Sequence, residues 1–567
     1  MKLTIQGQGD VTLTKQHFVA AGGQGEIYAL GDTAFKVYHD SAHMMPIGKI
    51  QELSQLPVPM FSRPEHMLLD AKGKVVGYTT RFVKNAYVLC QLFPRSFRDR
   101  ERLTHDKVLK LVEEMRKGFD LAHKAKILLI DPNEMNFLVD PKFATLTFID
   151  TDSYQTQSYP ATVIMESIRD RHMAHSMAFN EGTDWFSFAI TSFQMLVGIH
   201  PYKGKHPTLK GFDERMKANV SVLNKDVGVP SAAYPLDMIP KAWRGWYEAV
   251  LERGERSAPP GGQVTVTVTQ PVIKAILGAV NLVLDELGQF DGNITGVWTC
   301  GHQLVVATDA GVWMNGRRVG DWTDTTAVAF SPRTTTPIAL RHPGDIPELY
   351  DCTSRTEVVF GLDVQRTVGH DGRVYFKAGD KVLELVLFDV GNNKVVPSTR
   401  VAASVLPNAS LLFPGGVYQN MLGSAFVSLF PQKDQTFQIR IPELDVYRVL
   451  DARYDAGIKG GVLMVVGRTK SGTYDRLIFR FNADFTFYDM RKVSDVGPVG
   501  LNFVVTDAGV CVCLDEEDKL ELSSITTGST SIKTVTDNVL GGDLRLFKHG
   551  AQVLASRGNA LYSMRLK

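Results

Sequence analysis

Four residue types suited to handling phosphate and magnesium follow one another in the early part of the chain. Lys36 sits in the apolar run Ala34-Phe35-Lys36-Val37-Tyr38, just after a glycine-rich turn, Gly23-Gln24-Gly25-Glu26-Ile27-Tyr28. Much farther along come Asp131-Pro132-Asn133-Glu134-Met135-Asn136 and then Asp150. Glycines let backbone amides approach phosphate with no Cβ in the way, and a lysine ammonium neutralises its charge. An aspartate can take the proton of an acceptor hydroxyl, while an amide oxygen and a carboxylate are hard donors for magnesium. This ordered set meets the requirements of phosphoryl transfer from ATP.

On a strand, Phe35 and Val37 point to the face opposite Lys36, so the ammonium enters the space beneath the glycine turn. Glu52, on an early helix, is its expected orienting partner. Asp131 is expected to be the catalytic base, with Asn136 and Asp150 as metal ligands. Each piece also has a plain structural explanation: a hairpin turn for the glycines, a turn for Asp-Pro-Asn, an exposed position for Glu52. The turn explanation leaves the apolar runs Ile127–Ile130 and Leu146–Ile149 around the motif, and their coincidence with Lys36, unaccounted for.

These residues need two kinds of support. Up to Phe82 the pattern is that of strands: Val11–Thr14, Glu26–Leu30, Ala34–Tyr38 and Val75–Phe82, interrupted by a helix over Ile47–Leu56 that stops before Pro57. From Asp106 the spacing turns helical, with Val108, Leu111, Val112, Met115, Phe119 and Ala122 on one face. Trp185–Val197 is apolar nearly all round, as in a buried helix, and Ala242–Glu252 predicts another. Arg256-Ser-Ala-Pro-Pro-Gly-Gly262 then marks a domain end. A strand at Val264–Thr269 and a helix over Val272–Leu287 are expected in the linker, residues 263–290.

From 291 to 567 short strands dominate. They recur in clusters about 40 residues apart, and Thr308-Asp-Ala-Gly-Val returns as Thr506-Asp-Ala-Gly-Val. The spacing predicts a β-propeller of six or seven blades, with a pair of β-sandwiches as the alternative. Its scattered histidines, His302, His342, His370 and His549, lack ligand spacing, and Trp298, Trp313 and Trp322 read as core. No catalytic constellation is visible there, so this region is expected to recruit a protein substrate or assembly partner.

Composition sets outer bounds. The 567 residues and 44% hydrophobic content suit two large domains. Lys plus Arg number 62 against 61 Asp plus Glu, which gives no global field for nucleic acid or an acidic membrane surface. Five cysteines without C-x-x-C spacing argue against a disulfide framework or zinc site; Cys511 and Cys513 share a strand face and are expected to be buried hydrophobes. With no signal peptide or membrane span recognised, an intracellular, cytoplasmic setting is expected.

The motifs resemble the protein-kinase superfamily, in particular compact bacterial Ser/Thr-kinase-like proteins carrying I-D-x-D-S-[FY]-Q, here Ile149-Asp-Thr-Asp-Ser-Tyr-Gln155. Supporting matches are His123 before Asp131, Asp131–Val139, Thr183-Asp-Trp-Phe-Ser-Phe188 and Gly198-Ile-His-Pro-Tyr-Lys-Gly204. The resemblance implies a bilobal α+β fold over residues 1–262, with lobes of about 1–82 and 83–262. It implies that Asp184 braces the catalytic loop and that the hinge holding adenine falls at Thr80, Arg81, Phe82 and Val83. It also implies a segment from Asp150 to a closing Glu166 that pairs with Arg256.

Around the catalytic residues the chain departs from the family pattern. Leu129-Ile130 stand where His-Arg is usual, Asn133 where a lysine is common, and Asp152 where a glycine is usual. Asp152 is expected to cap a turn, with metal binding as the alternative. The implied activity is ATP- and magnesium-dependent transfer to Ser/Thr hydroxyls of a protein. A nucleotide-binding pseudokinase scaffold and a kinase-fold adenylyltransferase are the alternatives. Removal of residues 291–567 is expected to leave activity on a generic substrate intact.

Overall fold

Alternating apolar and polar residues before position 82 form one seven-stranded sheet in the computed structural model of the chain. The structure describes all residues except 41–43, 162–163, 176–177, 231–232, 262–279, 343–345, 392–393 and 497–499. The strands are β1 (Lys2–Ile5), β2 (Gly9–Thr12), β3 (Phe18–Ala21), β4 (Gly25–Leu30), β5 (Thr33–Tyr38), β6 (Met67–Leu69) and β7 (Val75–Arg81), in the order β2-β1-β6-β7-β5-β4-β3. Every neighbouring pair is antiparallel. The helix expected over Ile47–Leu56 is shorter, α1 (Lys49–Leu53), and loose turns complete the rest.

Helices follow: α2 (Arg95–Arg100), α3 (His105–Lys124), α4 (Glu181–Val197), α5 (Phe212–Ala218) and α6 (Lys241–Leu251). Thr104 caps α3 by accepting from Lys107 N, and the apolar face read from the sequence is buried. Asn180 caps α4 through Thr183 N, and from Thr183 onward every residue of α4 is buried. A small sheet of β8 (Tyr87–Val88), β9 (Phe137–Val139) and β10 (Leu146–Phe148) lies against α3. Phe148, at the end of β10, stacks on Phe61 with centroids 4.6 Å apart and meets Phe137 edge-on at 4.9 Å. Gly118 of α3 makes room for that ring: a Cβ there would sit 2.2 Å from Phe148 carbons. The aromatic cluster thus fixes the chain two residues before Asp150.

Beyond residue 280 the described residues build seven four-stranded sheets. Six use consecutive strands, within residues 294–320, 325–358, 366–404, 410–440, 448–493 and 503–536. The seventh joins Leu282–Gln289 to the last three strands, Arg545–His549, Gln552–Arg557 and Ala560–Leu566. The first strands of successive sheets neighbour one another, and Ile294–Cys300 also borders Arg545–His549, so the series closes on itself. Apolar layers are shared between successive sheets: Leu463, Val465, Leu477 and Phe479 of the 448–493 sheet pack with Phe413 and Val427 of the 410–440 sheet.

Two expectations about the linker meet different outcomes. The strand at Val264–Thr269 and residues 272–279 of the expected helix lie outside the described residues. From Leu282 on, the expected helix is instead a strand, paired antiparallel with Ala560–Leu566. Its apolar Leu282 and Leu284 alternate with Val283 and Asp285, and a partner from the far end of the sequence decides the conformation. The division of the chain is not linear either. One compact unit takes the described residues before 262 together with Arg468–Tyr474 and a short stretch ending at Gly500; the rest forms the other.

Among the described residues no helix is long and apolar enough to cross a membrane. All five cysteines are free thiols, and Cys511 and Cys513 are buried on one strand. Replacing Gly118 with alanine should push Phe148 off its aromatic neighbours and cost about 1–3 kcal/mol, as overpacking does. Urea denaturation of the full chain measures this, and an unchanged midpoint would contradict the packing described.

Candidate functional site

Lys36 projects from the middle of β5 and is 7% exposed. Its ammonium donates to Asp150 Oδ1 at 2.7 Å and to both oxygens of Asp152 at 2.8 and 3.0 Å. Tyr38 OH donates to Asp152 Oδ2 at 2.5 Å, and the rings of Tyr38 and Tyr78 stand 5.3 and 5.8 Å from the Lys36 nitrogen. Burial by itself lowers the pKa of the ammonium; the carboxylates of Asp152 and Asp150 outweigh that and raise it far above the ordinary lysine value. Burial would likewise raise Asp152, but the Lys36 charge and hydrogen bond hold its carboxyl well below the usual range. The glycine turn lies over this end of the sheet. Gly25 pairs with Tyr38, and a Cβ on Gly25 would fall 2.3 Å from Val37 O, whereas Gly23 has open space around it.

Asp131 lies on a loop held from below by Asp184 of α4. The Asp184 carboxylate accepts from Leu129 N at 2.8 Å, Ile130 N at 2.9 Å and His123 Nε2 at 2.9 Å, a brace at the position the sequence indicated. Ile130 has φ of 63°, a left-handed conformation costly for a β-branched residue, and the bond from its own amide to Asp184 helps to hold it. Asp131 Oδ1 accepts from Met165 N at 2.9 Å and Oδ2 from Asn133 Nδ2 at 3.0 Å. Burial pushes its carboxyl up to about 6, against those two hydrogen bonds and with added repulsion from Asp150 and Glu134.

Asn136 closes the circuit. Its Nδ2 donates to Asp131 O at 2.8 Å, and its own carbonyl accepts from Ile149 N at 3.0 Å, beside Asp150. Asp150 is itself left-handed, with φ of 59°, and its carbonyl accepts from Ser153 Oγ. Asn136 thus bonds both to Asp131 and to the Ile149 amide that precedes Asp150, and Asp150 in turn accepts from Lys36. With the Asn136 amide nitrogen committed to the loop, its oxygen is the donor left for a cation, and Asp150 retains Oδ2. Both are hard oxygen donors of the kind magnesium takes. Among the described residues no group of three or more His, Cys, Asp or Glu side chains is arranged to hold a metal.

Other predicted positions fall differently. Glu52 does not pair with Lys36: its Oε2 accepts from Ser158 N at 3.2 Å, toward solvent. On so short a helix the inward position belongs to Lys49, which is buried and donates to Asp152 O at 2.8 Å. Asp152 thereby anchors Lys36, where turn capping by its side chain had been expected. Arg256 does not pair with Glu166. It makes a two-pronged bridge to buried Asp170, at 2.6 and 2.7 Å, while Glu166 lies exposed beside Arg169 and Arg171. At the expected hinge, Thr80 Oγ1 and Ser62 Oγ are hydrogen-bonded, Ser62 Oγ also donates to Arg81 O, and Phe82 N is taken by Asp32 O. Val83 follows directly, partly buried.

The role of Asp152 was missed because a carboxylate two residues from a presumed metal ligand reads equally as ligand, cap or anchor. The signal was Tyr38, two residues after Lys36 on the same strand face. Comparison of the chain with known protein families and with curated proteins finds no match.

Asp152→Ala would leave the buried Lys36 ammonium with Asp150 alone and Tyr38 OH without its acceptor. A loss of about 3–5 kcal/mol is expected, as for breaking a buried pair. Glu52→Ala should leave the same urea transition unmoved, and the reverse ranking of the two variants would contradict the assignment.

Proposed function

We propose that residues 1–262 act as a bilobal protein-kinase-like domain, transferring the γ-phosphoryl group of ATP to serine or threonine hydroxyls of a protein. The observation that carries this reading is the linkage of the four residues: Lys36 to Asp150, the Ile149 amide beside Asp150 to Asn136, and Asn136 to Asp131. A charged lysine, two oxygen donors and a carboxyl poised near neutrality are the groups this reaction calls on, and they stand together. The closed series of seven four-stranded sheets supports a seven-bladed β-propeller reading for the second unit, and with it a role in recognising a protein partner.

In this reading the Lys36 ammonium faces the phosphates and Asp150 fixes its direction. Asn136 and Asp150 would hold magnesium, which supplies positive charge to the phosphate oxygens when bound. Asp131 accepts a hydrogen bond from the incoming hydroxyl. As that oxygen bonds to the γ-phosphorus, its proton passes to the Asp131 carboxylate, and the bond from the γ-phosphorus to the bridging oxygen breaks, with ADP keeping the electron pair. Met165 N and Asn133 Nδ2 keep the carboxylate oriented without saturating its lone pairs.

A second reading, a nucleotide-binding scaffold without transfer, draws on the contacts Lys36 already makes to two carboxylates and on Asn133 at a position where a lysine is common. Adenylyl transfer by the same groups is told apart by the mass added to the product.

Labelled ATP with magnesium and a generic protein substrate tests the proposal. Lys36→Ala and Asp131→Asn should each lower incorporation by about 10² to 10⁴; equal incorporation in all three proteins would reject it. A magnesium-dependent rise in melting temperature with ATP, without transfer, would select the scaffold. The pH dependence follows from Asp131. Its basic form is the competent one, so kcat/KM should rise with pH, level off above about 6, and fall about tenfold per unit well below it. A flat profile from pH 5 to 8 would contradict its role as base.

A further inference from the structure

Glu134 lies inside the loop that carries Asp131 and Asn136, and it is 2% exposed. A carboxylate so placed needs a partner, because an unpaired buried charge is far more costly than an exposed one. The partner comes from a remote part of the sequence. Arg468 Nε donates to Glu134 Oε1 at 2.8 Å, and Tyr474 OH donates to the same oxygen at 2.8 Å. Both residues belong to the segment Arg468–Tyr474, which is part of the same compact unit as the loop. Arg468 is itself buried, 5% exposed.

The same guanidinium reaches the other side of Asp131. Its Nη2 lies 2.8 Å from Met165 Sδ, and Met165 N is the donor that orients Asp131 Oδ1. Gly472 approaches the same place, where a Cβ would stand 3.3 Å from Met165 Sδ, with φ of 88° that favours glycine. Arg468 thus ties together the segment following Asp131 and the residue that aims its carboxylate. No arginine stands next to Asp131 in the sequence, where Leu129 and Ile130 precede it.

We propose that Arg468 is a positioning residue for phosphoryl transfer, acting through Glu134 and Met165 on the loop that presents Asp131 and Asn136. The inference rests on the kinase reading for its chemistry and on geometry alone for the bracing of the loop. It reverses one expectation from the sequence: removing residues 291–567 takes away Arg468 and Tyr474, both donors to Glu134, so activity should be lost with them.

The full-length protein, Arg468→Met and Arg468→Lys provide the test, read by steady-state kinetics and by amide exchange over residues 128–140. Arg468→Met should lower kcat about tenfold or more with KM for ATP within about twofold, since Lys36 and its carboxylates are untouched. Arg468→Lys, which keeps a cation beside Glu134, should recover most of the lost kcat. Exchange over 128–140 should quicken about tenfold in Arg468→Met, while β1 keeps its wild-type rate. Wild-type kcat, or unchanged exchange over 128–140, would overturn the proposal. If Arg468→Met does not fold, Tyr474→Phe removes one donor and no charge; a twofold to fivefold fall in kcat with faster loop exchange is expected, and no change in either overturns the proposal. A wild-type protein that neither transfers phosphate nor gains stability from magnesium and ATP would refute the kinase reading instead, with loop exchange still deciding whether Arg468 braces the loop.

Discussion

The buried ammonium of Lys36 sets the terms for everything near it. A cation taken out of water must be answered by charge, and here two carboxylates answer it, at 2.7 Å from Asp150 and 2.8 Å from Asp152. Because β5 carries Lys36 while both aspartates follow β10, this one interaction ties the seven-stranded sheet to the three-stranded one. Asp150 cannot swing away without leaving the ammonium to Asp152, and Asp152 is further fixed by Tyr38 and, through its carbonyl, by Lys49. The left-handed backbone at Asp150 is tolerated because both its side chain and its carbonyl are engaged.

The second constraint is the strained turn before Asp131. Asp184 accepts both amides of Leu129 and Ile130, so a helix buried from Thr183 onward sets the conformation of a largely buried loop. Glu134 and Arg468 hold the same loop from its other end. Asp131 is then left half-satisfied, with a pKa moved toward neutrality by burial and room for one more hydrogen bond. The left-handed turn at Ile130 is held by the helix and the ion pair on either side.

The parts of this legible in the sequence are those set by local pattern. The 3.6-residue spacing from Val108 to Ala122 and the unbroken apolar stretch of Trp185–Val197 mark α3 and α4 because burial of a helix face leaves a periodic trace. Chain order placed Lys36, Asp131, Asn136 and Asp150 in view together. Choices among equivalent charges were not legible. Asp152 in place of Glu52, and Asp170 in place of Glu166, follow from how a short helix and a turn present their side chains, which composition does not record. Residues 282–287 fall in the run Val272–Leu287 that reads as helix by itself, and they are part of a strand because its partner, Ala560–Leu566, lies at the other end of the sequence. Arg468 carries no local mark at all, since its significance comes only from the buried carboxylate it meets.

The central claim is that Lys36, Asn136, Asp150 and Asp131 surround one triphosphate. A crystal structure of the full chain with magnesium and a non-hydrolysable ATP analogue tests it most directly. The account predicts phosphate oxygens within hydrogen-bonding reach of Lys36 and a cation ligated by Asn136 and Asp150, with the γ-phosphate facing Asp131. Nucleotide bound elsewhere, or bound here with the phosphates turned away from these four residues, would contradict it.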